Sequence, residues 1–354
     1  MTPTPPKSPA EIRHLRALHP QMRERDFARI HGVSEAELVA AEIGRSVVRL
    51  EPDVDVLLNG LKACGEIMTL TRNEAAVHEK IGPVEKVVVG QKSSMVLGEQ
   101  IDLRIFPQRW AFGFAVEKQT EDGSIRRSLQ FFDVQCVAVF KVHARPATDE
   151  EGWAQLVAKL RHAEQAEGIT FTTEPVETLT SGEGVPAGVG ELRDRWAALT
   201  DTHQFFPMLR KLNLPRLDAL EMVGEDYAWQ LDHAAVKTLF ETVAGSDLPI
   251  MAFVGSPGCI QIHAGAISKI ATMGPWLNVM DETFHLHLRL DLIVSVWAVR
   301  KPTSDGHVTS VEVYDANREL IIQFFGKRQE GTDERQQWRA IVERLPLFNQ
   351  TNAA

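Results

Sequence analysis

The stretch Ile101–Gly123, IDLRIFPQRWAFGFAVEKQTEDG, aligns without a gap on Phe284–Gly306, FHLHLRLDLIVSVWAVRKPTSDG. Leu103/Leu286, Ala115/Ala298, Val116/Val299, Lys118/Lys301, Thr120/Thr303, Asp122/Asp305 and Gly123/Gly306 are identical pairs. Average residue frequencies would give about one or two matches in such a window. The chain therefore contains an internal duplication. Two similar halves related by a pseudo-twofold axis are expected, and the seam between them is a natural place for one ligand.

Within the copied stretch, Ile101, Leu103 and Ile105 share one face of a strand, and Asp102, Arg104 and Phe106 share the other. In the second copy Phe284, Leu286 and Leu288 share one face, opposite His285, His287 and Arg289. The apolar rows must face a core. The opposite rows offer cations, imidazoles and an aromatic ring.

The surrounding pattern extends the duplication to the whole chain. Helical spacing covers Pro9–Gly44, with a Ser-Pro-Ala-Glu start and a capping box from Ser34 to Glu37. Val54–Cys64 predicts a short amphipathic helix. Alternation then runs from Gly65 to Val142, punctuated by turns such as Asp122-Gly123, and Trp153–Gln165 returns to helical spacing. Thr172–Gly190 is rich in Gly and Pro and poor in large apolar residues, as a linker is. The order then repeats, with helices near 191–211, 215–224 and 234–243, strands over 249–326, and a last helix near 334–345. The expected class is α+β: two halves, each with N-terminal helices and a large antiparallel sheet. The expected division is a disordered N-terminus at 1–9, an N-terminal repeat at 10–171, the linker at 172–190, a C-terminal repeat at 191–345 and a tail at 346–354.

Composition narrows the function. A formal charge of −10, with no basic stripe interleaved with aromatics, argues against nucleic-acid binding. No apolar run reaches the ~20 residues a membrane helix needs, and the first residues lack an apolar signal core, so a cytoplasmic protein is expected. Cys64, Cys136 and Cys259 are scattered and lack metal spacing, so they are expected to be small buried residues in a reducing compartment. Gly255–Gly258 predicts a turn between strands and not a phosphate loop, and no nucleotide, hydrolase or HExxH motif is present. Of the twelve histidines, His14, His19, His31, His143, His162 and His307 are expected at the surface, and His285-x-His287 lacks an evident third metal ligand. His203 differs. It lies in WAALTDTHQFFPMLRK (Trp196–Lys211), in the first turn of a helix capped by Thr200 or Asp201, beside Phe205, Phe206 and Arg210. An imidazole among phenyl rings and a guanidinium suits a planar apolar ligand with anionic groups; a structural role is the alternative.

The segments LTRNEAAVHEKIG (Leu70–Gly82), IDLRIFPQRW (Ile101–Trp110), RRSLQFFD (Arg126–Asp133), LTDTHQFFPMLRK (Leu199–Lys211), IMAFVGSPGCIQIHAG (Ile250–Gly265), VRKPTSDGHVTSVEVYD (Val299–Asp315) and QFFGKRQEG (Gln323–Gly331) carry a resemblance. Over about residues 10–345 the chain resembles the bacterial cytoplasmic haem-utilisation proteins of the HemS type, called hemin transport proteins or hemin-degrading factors. The resemblance implies one haem b (Fe-protoporphyrin IX) bound between the halves. It implies His203 as the axial iron ligand and Arg104 as the distal arginine, with Phe106 beside it. Arg216, Lys301 and Gln323 match the contacts to the haem propionates, Phe253 a porphyrin-packing position, and Arg328 the arginine of the terminal G-x-R motif. It implies a carrier that accepts haem from an inner-membrane importer and passes it to a haem oxygenase; the alternative is a haem-degrading enzyme with haem oxygenase-like activity and an external electron donor. His78 is also a family motif residue, for which a structural hydrogen bond in a turn is expected. Three positions depart from the family pattern. Pro207 is expected to remove the hydrogen bond to the His203 carbonyl and kink the helix. Phe325 stands where Tyr is common, and Gln204 removes an adjacent second histidine.

Overall fold

The computed structural model describes residues 7–171, 186–328 and 334–349. The chain divides into two units: residues 1–72, 78–174 and 255–261 form unit 1, and residues 73–77, 175–254 and 262–354 form unit 2.

Unit 1 opens with helices α1 (Pro9–Leu18), α2 (Glu24–His31) and α3 (Glu35–Ala40). Two capping boxes start them. The Ser8 hydroxyl accepts from the Glu11 amide, and the Ser34 hydroxyl from the Glu37 amide, while each glutamate reaches back to the serine amide at 2.7 Å. Strand β1 (Val47–Leu50) follows, then α4 (Val54–Leu61), β2 (Gly65–Arg72), β3 (Ala76–Gly82), β4 (Lys86–Val88), β5 (Ser94–Leu97), β6 (Asp102–Ile105), β7 (Phe112–Gln119), β8 (Ile125–Phe132), β9 (Ala138–Thr148) and α5 (Glu150–Leu160). The strands pair antiparallel in the order β1-β7-β8-β9-β2, and β4-β5-β6 form a second antiparallel group. Helix α5 packs so closely on the 3-10 turn Lys62–Cys64 after α4 that a Cβ on Gly152 would lie 2.4 Å from the Ala63 carbonyl oxygen, so only glycine fits there.

Unit 2 repeats this order. It contains α6 (Val189–Ala197), a 3-10 turn at Thr202–Gln204, α7 (Phe205–Leu212), α8 (Arg216–Val223), β10 (Ala228–Leu231) and α9 (Ala234–Ser246). Strands β11 (Ile250–Ser256), β12 (Cys259–Gly265), β13 (Ile270–Met273), β14 (Trp276–Met280), β15 (Phe284–Arg289), β16 (Ser295–Thr303), β17 (Gly306–Tyr314) and β18 (Leu320–Gly326) precede α10 (Gln336–Glu343). Antiparallel pairing runs β10-β16-β17-β18-β11, with β13-β14-β15 as the second group. Each strand thus has a counterpart nine places earlier, and the duplication holds for the architecture as well as the quoted stretch. The aligned glycines Gly123 and Gly306 both have positive φ, 83° and 131°.

The burial pattern matches the alternation. Ile101, Leu103, Ile105, Leu286 and Leu288 are fully buried and Phe284 nearly so, while Arg104, Phe106, His285, His287 and Arg289 are half-buried. The core of unit 1 gathers Leu57, Leu61, Ile67, Leu103, Phe131, Phe140 and Leu156. That of unit 2 gathers Leu239, Phe240, Val254, Leu286, Val311, Phe324 and Trp338.

Several sequence expectations change. Ser8 and Pro9, assigned to a disordered N-terminus, cap and open α1; residues 1–6 lie outside the described residues. The expected linker falls outside the described residues over 172–185, and Val189 and Gly190 already belong to α6. The tail begins as structure, since Leu347 bridges Leu231 on β10. Strands β1 and β10 were not foreseen. Each is a four-residue edge strand, too short to show alternation. Pro207 does not kink its helix: α7 starts at Phe205, so the proline occupies the first turn, where no backbone donor is required. His143 is half-buried. Burial and the neighbouring Lys141 push its imidazole down to about 4. The three cysteines are buried, and burial raises the thiols of Cys136 and Cys259 to about 12. Among the described residues no helix is long and apolar enough to cross a membrane.

Glu35 ties α3 to the sheet of unit 1 by accepting from Arg72 on β2 and from Lys141 Nζ on β9 at 3.1 Å. Burial raises its carboxyl, but Lys141 and Arg72 outweigh burial and hold it at about 2. Its stabilising contribution is therefore complete above the unfolded carboxyl pKa and fades as pH falls toward 2. Glu35→Gln should destabilise the protein by about 3 kcal/mol at pH 7 in urea unfolding. The difference between the two proteins should shrink below pH 4; a pH-independent difference would show that ionisation of Glu35 is irrelevant.

Candidate functional site

Six of the eight candidate residues lie in unit 2, and Arg104 and Phe106 lie in unit 1. Each group is set by its own strands and turns.

In unit 1, β6 turns its apolar row inward and leaves Arg104 on the opposite face, 33% exposed. The Arg104 guanidinium donates to the Asp102 carboxylate and to the Leu103 carbonyl at 3.0 Å. Burial raises the Asp102 carboxyl, an effect Arg104 only partly offsets. Phe106 follows at the strand end, where its backbone amide donates to the Gly258 carbonyl at 3.0 Å. The Trp110 indole donates to the same oxygen at 3.0 Å, and a Cβ on Gly258 would press on Val139 and Trp110. The Gly255–Gly258 turn therefore fixes the end of the strand that carries Arg104. His78 is fully buried on β3, not in a turn, and its Nδ1 lies 2.9 Å from Gln261 Nε2. Unit 1 also has an open cavity of about 610 Å³ lined by Met68, Arg126, His143, Arg145 and Trp153, among others; none of the eight candidates lines it.

In unit 2, His203 sits on the 3-10 turn before α7. Asp201 caps this turn: its Oδ1 accepts from the His203 amide at 2.7 Å and lies 2.8 Å from His203 Nδ1. The first of these bonds, with the nearby positive charge of Arg328 as a smaller cause, lowers the Asp201 carboxyl. The imidazole is 91% exposed. With Nδ1 held by a carboxylate, Nε2 is the nitrogen presented outward, the arrangement that fixes tautomer and direction in metal-binding histidines. The neighbouring aromatics diverge. Phe205 is buried edge-on against Trp196 at 4.7 Å, while Phe206 is 39% exposed.

Beneath α7 and α8, the face of the β16-β17-β18-β11 sheet bears Phe253, Lys301 and Gln323, while Arg216 opens α8 and Arg328 follows β18. Arg216, Lys301 and Gln323 converge on Glu312, a residue the sequence reading did not single out. Its carboxylate is fully buried and accepts six hydrogen bonds: from Arg216 Nε and Nη2 at 2.8 and 2.7 Å, Lys301 Nζ at 2.8 Å, Ser310 Oγ at 2.8 Å, Tyr314 Oη at 2.7 Å and Gln323 Nε2 at 3.0 Å. Burying a carboxylate is costly unless it is paired and its lone pairs are filled, and here both conditions hold. Burial pushes the Glu312 carboxyl up, but Arg216 and Lys301 hold it well below the usual range. For Lys301 the balance is reversed. Burial and the charge of Arg216 bring its amine down to about 8, because it shares a single carboxylate with a second cation. The signal for Glu312 was present in TSVEVYD: an acid within a β-run, on a chain whose named ligand contacts include two cations.

Aromatic rings border this cluster. Phe253 and Phe325 meet edge-on at 5.1 Å. Lys301 Nζ lies 4.8 Å from the Phe205 ring centre, and the Arg216 guanidinium 5.1 Å from it. His287 is engaged with Asn278 at 2.6 Å, and among the described residues no set of three His, Cys, Asp or Glu could hold a metal ion. The unit 2 arrangement can therefore coordinate through one imidazole, pack a flat ring on phenyl groups and answer carboxylates with guanidinium and amide donors.

Comparison with known proteins agrees with this chemistry. The family described as the haemin-degrading HemS.ChuX domain matches twice, at residues 32–160 and 213–345. The hemin transport protein HmuS of Yersinia pestis is 38% identical over 331 residues, covering 93% of this chain and 94% of that protein. The crystal structure of holo-PhuS, a heme-binding protein from Pseudomonas aeruginosa, matches with a TM-score of 0.91 at 43% identity, over 97% of this chain and 100% of that one. ChuS, a heme degrading enzyme of Escherichia coli O157:H7, matches with a TM-score of 0.88 at 33% identity, over 96% and 100% of the two chains. With two copies of the domain and a relative this similar over nearly its full length, the chain belongs to the HemS/ChuX haemin-degrading domain family.

Proposed function

We propose that this protein binds one haem b and serves as a cytoplasmic haem carrier, accepting imported haem and delivering it for iron release. The observation that carries this reading is the outward His203 imidazole, pinned through Nδ1 by Asp201, in the unit that also holds the Arg216–Glu312 cluster and the Phe253–Phe325 pair. The donor set suits haem: a neutral imidazole for iron, phenyl rings for the macrocycle, and Arg216, Lys301 and Gln323 for the propionate side. Arg104 takes the distal role with Phe106 beside it, and Arg328 supports the Asp201 side of the site. Haem, when bound, supplies iron that can react with dioxygen; the residues of this chain bind and orient it. An inner-membrane haem importer and a haem oxygenase are the partners this role calls for.

The second reading, a haem-degrading enzyme, is favoured by ChuS, which is described as a heme oxygenase. No nucleotide-binding motif is evident in the sequence, so an external reductant is needed.

His203→Ala should lose the native Soret spectrum on titration with ferric haem while keeping the wild-type circular dichroism. An unchanged Soret band would remove His203 from the iron. Arg104→Ala should change the spin state and its pH dependence while affinity falls by less than about ten-fold; identical spectra at every pH would contradict a distal role. Under air, with ascorbate and catalase, the wild-type complex should keep its Soret band. Conversion to a defined linear tetrapyrrole with released iron, despite catalase, would establish the enzyme instead.

A further inference from the structure

Three nitrogen-bearing side chains that line the open cavity of unit 1 have no side-chain hydrogen bond or ion pair among the described residues: Arg126 on β8, and His143 and Arg145 on β9. The ladder between these strands ends at the pair Ser128 and His143. Arg126 and Arg145 each lie two residues beyond that pair, so they follow its face to the place where the strands part. The third guanidinium of the lining is already engaged. Arg127 donates to Glu117 at 3.1 Å and to Glu150, which also lines the cavity, at 3.0 Å. Two unpaired cations therefore flank one opening, an arrangement that costs stability unless an anion lies between them. His143 is half-buried, and burial with the charge of Lys141 brings its imidazole down to about 4. At neutral pH it offers one donor and one acceptor, neither used by the protein.

The duplication shows that these groups are particular to this half. Arg126 pairs with Lys118 as Val308 pairs with Lys301, and His143 pairs with Ser128 as Phe325 pairs with Ser310. Where unit 2 has two apolar side chains, unit 1 has a guanidinium and an imidazole. The rest of the wall is apolar in part, through Met68, Ile125 and Trp153.

We propose that this cavity of about 610 Å³ binds a small organic polycarboxylate. Arg126 and Arg145 each take one carboxylate, His143 donates to a carboxylate oxygen, and the carbon skeleton lies against Met68 and Trp153. The planar guanidinium fork matches a carboxylate through two parallel hydrogen bonds. A bare inorganic anion would meet the cations and leave the apolar wall uncovered. The chain carries a formal charge of −10, so its overall field repels such a ligand and the attraction must come from this local pair. Every residue of the site belongs to unit 1, and the proposal does not rest on the haem reading.

The test is calorimetric titration of the full-length protein with citrate, with inorganic phosphate and acetate as comparisons. One citrate should bind saturably, and more tightly than either comparison anion. Arg126→Gln and Arg145→Gln, both at exposed positions, should each weaken citrate binding by about ten-fold or more while circular dichroism stays that of wild type. His143→Phe, which installs the residue of the other copy, should weaken it by about three-fold or more. Lys118→Gln removes a cation that Glu24 already engages and should leave the affinity unchanged. Absence of saturable citrate binding would overturn the proposal. Phosphate or acetate binding as tightly as citrate would also overturn it, since the carbon skeleton would then count for nothing. Citrate binding that survives in Arg126→Gln/Arg145→Gln would place the ligand elsewhere, and equal weakening by Lys118→Gln would reduce the effect to general charge; either result ends the assignment. The haem reading stands or falls separately, through His203→Ala.

Discussion

The buried carboxylate of Glu312 is the interaction on which the second half of this protein is organised. A charge with no solvent access is tolerated only if the fold delivers partners to it, and six hydrogen bonds from five side chains do so. Those donors come from α8, β16, β17 and β18, so helix and sheet are locked in one register by a single acceptor. The duplication shows that this is a property of one half only. Glu312 stands across from Trp297 as Gln130 stands across from Phe114, and Ser310 from Val299 as Ser128 from Val116. In place of the acid the first half has a neutral amide. Lys118, identical to Lys301 in the alignment, is 59% exposed on its side chain and pairs with Glu24. The same sheet was kept, and only one copy acquired the charge cluster.

The second organising feature is small and local. Asp201 both caps the turn that opens α7 and holds His203 Nδ1, so one carboxylate settles the backbone and the tautomer together. Because the helix proper begins two residues after His203, Pro207 falls in its first turn and the imidazole stands on a turn braced by α7. A proline that would disturb a longer helix fits here without cost.

The duplication, the class and most elements were legible because they rest on periodicity, which survives in a single sequence. Ile101, Leu103 and Ile105 announce a strand, and Ser34 with Glu37 announces a helix start. What was not legible depends on partners distant in the chain. Glu312 and Arg216 are 96 residues apart, and no local pattern states that they meet. The burial of Lys301 was hidden for the same reason: an amine looks like a surface group until its counter-ion is found. Strands β1 and β10 were missed because four residues are too few to show a period, and they exist only through pairing with β7 and β16. The proposed haem roles of His203 and Arg104 rest on family resemblance. The residues alone suggested no more than an imidazole, a guanidinium and phenyl rings suited to a flat anionic ligand.

The central claim is that iron is held by His203 Nε2 with a carboxylate on Nδ1. Resonance Raman spectroscopy of the ferrous haem complex, compared between wild type and Asp201→Asn, tests it most directly. The account predicts an iron–imidazole stretching band in wild type that moves to lower frequency in the variant, because the imidazole loses the anionic acceptor that strengthens it as a ligand. Absence of an imidazole band, or a band at the same frequency in both proteins, would contradict it.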